Sequence, residues 1–150
     1  MPATLLFATD DTEADEVWLP AVQADGFGRA AGAPRRVLVA EDDALVRGML
    51  ERMLTELGYD VRTARHGQEA LDVAEKNGPI DLVITDVRMP FESGTDLVDE
   101  LRRLRPQLKV LYVTGHPDER TASEHQLVKP FTRDVFVAAV RDVLSESIER

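Results

Sequence analysis

Four short stretches carry side chains that could act together on one substrate: Glu41-Asp42-Asp43, Asp86, Thr114-Gly115 and Lys129-Pro130. Between them they offer several carboxylates, a hydroxyl, a residue without a side chain and an ammonium group. Carboxylates gathered closely repel one another unless a cation joins them. Hard oxygen donors in small number suit Mg²⁺, which keeps several waters and takes further ligands from substrate phosphate. A lysine beside such a cluster adds a point charge for a phosphoryl oxygen. The chemistry indicated is the handling of phosphate around Mg²⁺. Each stretch also has a plain structural reading. Acids after a strand often cap the next helix, which suits Asp43. Asp86 could serve a turn, Thr114 is an ordinary β-branched strand residue, Lys129 a surface lysine and Pro130 a strand terminator. The conjunction of complementary groups at four separate places favours function.

The elements around these residues explain how they could meet. Val37-Leu38-Val39-Ala40 is an apolar run ending in acids, as in a buried parallel strand. Leu45, Val46, Met49, Leu50, Met53, Leu54 and Leu57 recur at helical spacing up to Gly58, a helix stop. Residues 59–64 predict a second strand, Ala70, Leu71 and Ala74 a second helix stopping near Asn77-Gly78, and residues 80–87 a third strand. Leu97, Val98, Leu101 and Leu104 mark a third helix ending before Pro106; residues 110–113 make a fourth strand and Leu127-Val128 the core of a short fifth. Val135, Val137, Val140 and Leu144 belong to a last helix with Thr132 as its N-cap. Strands alternating with helices predict the α/β class, a doubly wound five-stranded parallel sheet with helices on both faces. In such sheets ligands bind beyond the carboxyl ends of the strands, where all four stretches fall. Only ten residues run from Gly115 through Glu124, fewer than a parallel crossover normally needs, so a fourth helix must be shortened or missing.

The whole chain has 150 residues, 43% hydrophobic and 31% charged, enough for one ordinary core. Residues 35–150 carry the periodic pattern. Residues 1–34 hold six acids against one base and end in a Gly-, Ala- and Pro-rich stretch, which predicts a flexible acidic extension. Cysteine is absent, excluding disulfides and thiol chemistry. The net charge of −10 disfavours direct contact with nucleic acid or an anionic membrane. No apolar run approaches the ~18 residues of a membrane span and no signal peptide is evident, so a cytoplasmic protein is expected.

Val37 to Asp43, Asp81 to Pro90, Val113-Thr114-Gly115 and Val128-Lys129-Pro130-Phe131 together resemble the receiver domain of bacterial two-component response regulators, a flavodoxin-like fold, over residues 36–145. The ordered set is specific where any single segment is weak. The resemblance implies that Asp86 is the phosphoacceptor, that Glu41 and Asp42 are the acidic pair for Mg²⁺, and that Thr114 and Lys129 contact the phosphoryl group. It also implies the Arg88 backbone carbonyl as a further metal ligand and a cis bond before Pro130. The donor it implies is a phosphohistidine on a histidine kinase or histidine phosphotransfer protein, with signalling by conformational change rather than enzymatic turnover. Leu45, Val46, Met49 and Met53 of the first helix are docking candidates, although helical period favours the core for most of them.

Two features depart from the family pattern. Where receivers commonly carry Tyr or Phe three residues before the lysine, this chain has Gln126, and the fourth helix is short or absent. Both question the usual switch and pairing surface. Tyr112 reads as a packed strand aromatic and His116 as a loop residue, and Arg88 and His116 flank the site where the family tunes phosphoryl lifetime. A stand-alone receiver is the leading expectation; the alternatives are the receiver of a hybrid histidine kinase and a phosphorylation-independent adaptor with the same fold. A haloacid-dehalogenase-like phosphatase is disfavoured, because Glu41-Asp42-Asp43 lacks the Asp-x-Asp such enzymes use.

Overall fold

The computed structural model describes residues 33–117, 119–121 and 123–146. The extension expected over residues 1–34 therefore lies outside the described residues, apart from Ala33 and Pro34. The elements are β1 (Arg36–Ala40), α1 (Ala44–Glu56), β2 (Asp60–Ala64), α2 (Gly67–Lys76), β3 (Leu82–Thr85), α3 (Gly94–Leu104), β4 (Lys109–Thr114), β5 (His125–Val128) and α4 (Arg133–Ser145). All neighbouring strands pair in parallel, in the order β2-β1-β3-β4-β5. This is the predicted doubly wound sheet, with its order reversing beside β1.

Period-two alternation along the central strands sends side chains to two cores. Val37, Val39, Leu82, Ile84, Leu111 and Val113 face α1 and α4, where they meet Leu50, Leu54, Phe136 and Val140. Leu38, Ala40, Val83, Val110 and Tyr112 pack on the opposite side with Ala70, Leu97, Val98 and Leu101 of α2 and α3. The central strands are thus apolar on both faces, which leaves their ends for chemistry.

Helix boundaries follow the expected signals. Asp43 caps α1 by accepting from the amides of Leu45 and Val46 at 2.9 and 3.1 Å, and Thr132 caps α4 by accepting from Val135 at 3.2 Å. Past the end of α1, Gly58 takes φ of 96°, a left-handed conformation that favours glycine. The third strand is shorter than residues 80–87. The strand itself is Leu82–Thr85; Asp81 and Asp86 adjoin it through their amides, which donate to the Arg36 and Ala40 carbonyls of β1 at 2.8 and 3.2 Å, while the Asp81 carboxylate accepts from the Arg36 amide at 2.7 Å.

Among its described residues, the crossover from β4 to β5 holds a 3-10 turn, Glu119–Thr121, and no α-helix. The register sets Gln126 opposite Tyr112 and Val128 opposite Thr114. Gln126 therefore faces the side of β5 that a fourth helix would cover. Its Oε1 accepts from the buried Thr121 hydroxyl of that turn at 2.8 Å. A polar side chain suits a sheet face closed by a hydroxyl-bearing turn, so the glutamine and the missing helix are one structural fact.

On α1 the expected core face divides. Met53 is buried and Val46 packs against the core, but Leu45 is 86% and Met49 48% exposed. The buried arc is centred on Leu50, Met53 and Leu54, and Leu45 and Met49 lie beyond its edge. Of the four docking candidates, the core thus takes Val46 and Met53 and leaves Leu45 and Met49 on the surface.

Candidate functional site

Three strand ends converge on one group of charges. β1 runs into Glu41, which is 1% exposed; β3 runs into Asp86, 9% exposed; β5 runs into Lys129. The Lys129 ammonium donates to Glu41 Oε1 and to Asp86 Oδ2, both at 2.9 Å. Residues separated by 88 and 43 positions in the chain are joined by this one side chain. The Lys129–Pro130 peptide is cis, as expected.

Backbone amides complete the arrangement. The Arg88 N–H donates to Asp86 Oδ1 at 3.1 Å, and the Asp43 N–H donates to Glu41 Oε2 at 3.1 Å. Each carboxylate is thus held at both oxygens, one by lysine and one by the chain two residues on. From α1, the Arg47 guanidinium donates to the Glu41 carbonyl at 2.9 Å, fixing the turn that carries the acids. Sequence reasoning did not single out Arg47; its position on the first turns of the helix after the acids was the available signal.

Burial raises the Glu41 carboxyl above the usual carboxylate range. Hydrogen bonds from Lys129 and Asp43 and the Lys129 charge oppose that shift, and the Asp86 charge adds to it. For Lys129, burial acts to lower the value, but the hydrogen bonds and charges of Asp86 and Glu41 outweigh it and hold the ammonium above its ordinary value. The lysine therefore stays charged while it links two acids.

Asp42 is exposed and stands beside this pair. Carboxylate oxygens of Glu41, Asp42 and Asp86 all lie within 4.8 Å of one another. Three hard oxygen donors in that space against one ammonium leave an excess of negative charge. The donor set fits a divalent cation of the Mg²⁺ type.

Thr114 is fully buried at the end of β4, and its carbonyl accepts from the Lys129 amide at 2.8 Å. Its hydroxyl is turned toward the following loop, where Oγ1 accepts from the His116 amide at 3.0 Å. The structure therefore brings Glu41, Asp42, Asp86 and Lys129 together and sets Thr114 at the lysine's backbone, with its hydroxyl on the loop. Arg88 touches the site through its amide. Tyr112 is packed at 2% exposure and His116 is an exposed loop residue, as expected.

Comparison with known proteins finds one family and one fold. The family model described as the response regulator receiver domain matches residues 37–141. The transcriptional regulatory protein PdtaR of Mycobacterium tuberculosis is 42% identical over 123 residues, which cover 77% of this chain and 59% of PdtaR. Sensor kinase CckA of Brucella abortus is 34% identical over 118 residues, 73% of this chain and 12% of that protein. The chain thus spans only part of the length of these relatives. Among solved structures, the chemotaxis protein CheY4 of Vibrio cholerae superposes with a TM-score of 0.69 at 30% identity, over 75% of this chain and 100% of that one. The response regulator TrrA of Thermotoga maritima, solved with Mg²⁺ and BeF, gives 0.65 at 32% identity over 73% of this chain and 99% of that one.

Proposed function

This chain belongs to the response regulator receiver domain family, and on that premise we propose that it accepts a phosphoryl group on Asp86 in the presence of Mg²⁺ and signals by the rearrangement that follows. The donor is a phosphohistidine of a histidine kinase or a histidine phosphotransfer protein. The observation that carries this reading is the bridge from Lys129 to Glu41 and Asp86, set among three carboxylates with too little positive charge.

Asp42 and Asp86, with the Arg88 backbone carbonyl, would hold Mg²⁺, and Glu41 would act through water; the acidic cluster and the likeness to TrrA, solved with Mg²⁺ and BeF, support a Mg²⁺ site here. When bound, the ion supplies positive charge that offsets the acids and the phosphoryl oxygens. An Asp86 carboxylate oxygen attacks phosphorus in line; the new O–P bond forms as the P–N bond of phosphohistidine breaks, and the imidazole leaves with a proton from solvent. Lys129 exchanges its bond to Asp86 for one to a phosphoryl oxygen. The Thr114 hydroxyl, now on the His116 loop, turns to donate to another. That turn draws on the segment leading to the Thr121–Gln126 pair, which gives this chain a route for the signal without the usual aromatic.

Incubation of the full chain with acetyl phosphate and Mg²⁺, followed by intact mass, tests the reading. One phosphoryl adduct that disappears in Asp86→Asn is expected. No adduct with acetyl phosphate or with a phosphorylated histidine phosphotransfer protein would favour the phosphorylation-independent adaptor. No described helix is long and apolar enough to cross a membrane.

A further inference from the structure

The point where the chain leaves β3 is held by contacts that do not involve the site's charged groups. Thr85, the last residue of an otherwise apolar strand, is fully buried. Its hydroxyl donates to the Asp86 carbonyl at 2.9 Å and lies 3.9 Å from Met89 Sδ. Close against the same carbonyl stands Gly94, the first residue of α3. A Cβ built at Gly94 would sit 2.0 Å from the Asp86 carbonyl oxygen and 3.0 Å from Thr85 Oγ1. The Gly94 amide donates to the Val87 carbonyl at 2.8 Å, and the Asp86 amide donates to the Ala40 carbonyl of β1 at 3.2 Å.

Together these contacts clamp the Asp86–Val87 peptide between β1 and the start of α3. The Asp86 side chain has two rotatable bonds, and its oxygens are already held by Arg88 and Lys129. What remains free to move its attacking oxygen is the backbone beneath it. We infer that Thr85 is a positioning residue for Asp86: its buried hydroxyl, bonded to the Asp86 carbonyl against Gly94, fixes the backbone from which the carboxylate is presented. This rests on the reading of Asp86 as phosphoacceptor. In-line attack is sensitive to small displacements, which is why a residue that touches neither phosphate nor metal ion changes the rate.

Packing and positioning predict opposite orders for two substitutions. Thr85→Val keeps the shape and removes the hydroxyl; Thr85→Ser keeps the hydroxyl and opens a methyl-sized gap. The rate of adduct formation from acetyl phosphate with Mg²⁺, read by intact mass on the full chain, is measured beside the thermal midpoint of each variant. Thr85→Val is expected to react about tenfold more slowly than the wild type, and Thr85→Ser within about twofold, although the serine variant has lost packing. Thr85→Ala, near serine in size but without the oxygen, should follow valine and keeps the test open if the valine variant folds poorly. Serine slower than valine, or all three at the wild-type rate, would overturn the inference. An adduct that survives in Asp86→Asn would instead remove the phosphoacceptor assignment, and the positioning role with it.

Discussion

Both ends of the sheet gather ionised groups, but in opposite balance. At the amino-terminal end, Arg36 Nε and Arg62 Nη1 each meet an oxygen of Asp60 at 2.9 Å. Asp81 accepts from the Arg36 amide at 2.7 Å and has the Arg105 guanidinium at 3.6 Å. Arg62 Nε reaches Asn77 Oδ1 at 2.9 Å, and Arg36 and Arg105 also donate to the carbonyls of Asn77 and Ile80. Here three guanidinium groups face two carboxylates, and further donors of Arg36, Arg62 and Arg105 reach backbone and side-chain oxygens. At the carboxyl-terminal end, Glu41, Asp42 and Asp86 share one ammonium, that of Lys129. The first end is closed upon itself and serves the fold. The second has acceptor oxygens in excess and is suited to take up positive charge. A cluster of charges becomes a site through what it lacks.

The sharpest way to break this contrast is Asp86→Asn. It should abolish the phosphoryl adduct while shifting the unfolding free energy by no more than about 1 kcal/mol, since one acid is removed from a surplus. Adduct by intact mass and urea unfolding check the two halves. The converse is Asp81→Ala, which leaves Arg105 without that carboxylate partner at a buried position. A loss of about 3 kcal/mol is expected in urea unfolding, with phosphorylation of the folded fraction unchanged. A variant of Asp81 that stays stable but loses the adduct would show that the two ends are not separable in this way.

Gly94→Ala touches the boundary between scaffold and site. Its Cβ would force the Asp86 carbonyl aside, so a destabilisation of about 1–3 kcal/mol should accompany slower adduct formation, both visible in the experiments already named.

The smallest effect concerns pH. Burial raises Glu41 above its reference value of 4.5, so the folded state binds its proton more tightly than the unfolded chain does. Glu41 therefore lowers stability as pH rises from about 4.5 through its folded value, the reverse of a carboxylate stabilised by its surroundings. Glu41→Gln should remove that slope, so that the variant gains on the wild type across this window in thermal midpoint against pH. Lys129 acts at the other limit: raised above 10.5, it contributes stability that is present below that value and lost as pH passes its folded one.

Much of this was legible in the sequence, and the limits have physical reasons. Glu41, Asp42, Asp86 and Lys129 were readable because each ends an apolar run, and strand ends are where a parallel sheet exposes its ligand face. The short crossover followed from ten residues of chain. By contrast, Thr85 and Gly94 acquire their roles only where α3 meets the end of β3, a tertiary approach with no local pattern. Leu45 and Met49 fit the helical period yet stand outside the buried arc, because spacing gives the direction of a face and not its width. The amino-terminal network was hidden for a similar reason: Arg36, Asp60 and Asp81 look like charges flanking strands until pairing in register brings them together.

Amide-resolved NMR of the full chain, titrated first with Mg²⁺ and then with beryllofluoride, tests the central claim most directly. The account predicts saturable shifts centred on residues 41–43, 86–88, 114 and 129, with the beryllofluoride response lost in Asp86→Asn. Shifts absent altogether, or centred on Arg36, Asp60 and Asp81, would contradict it.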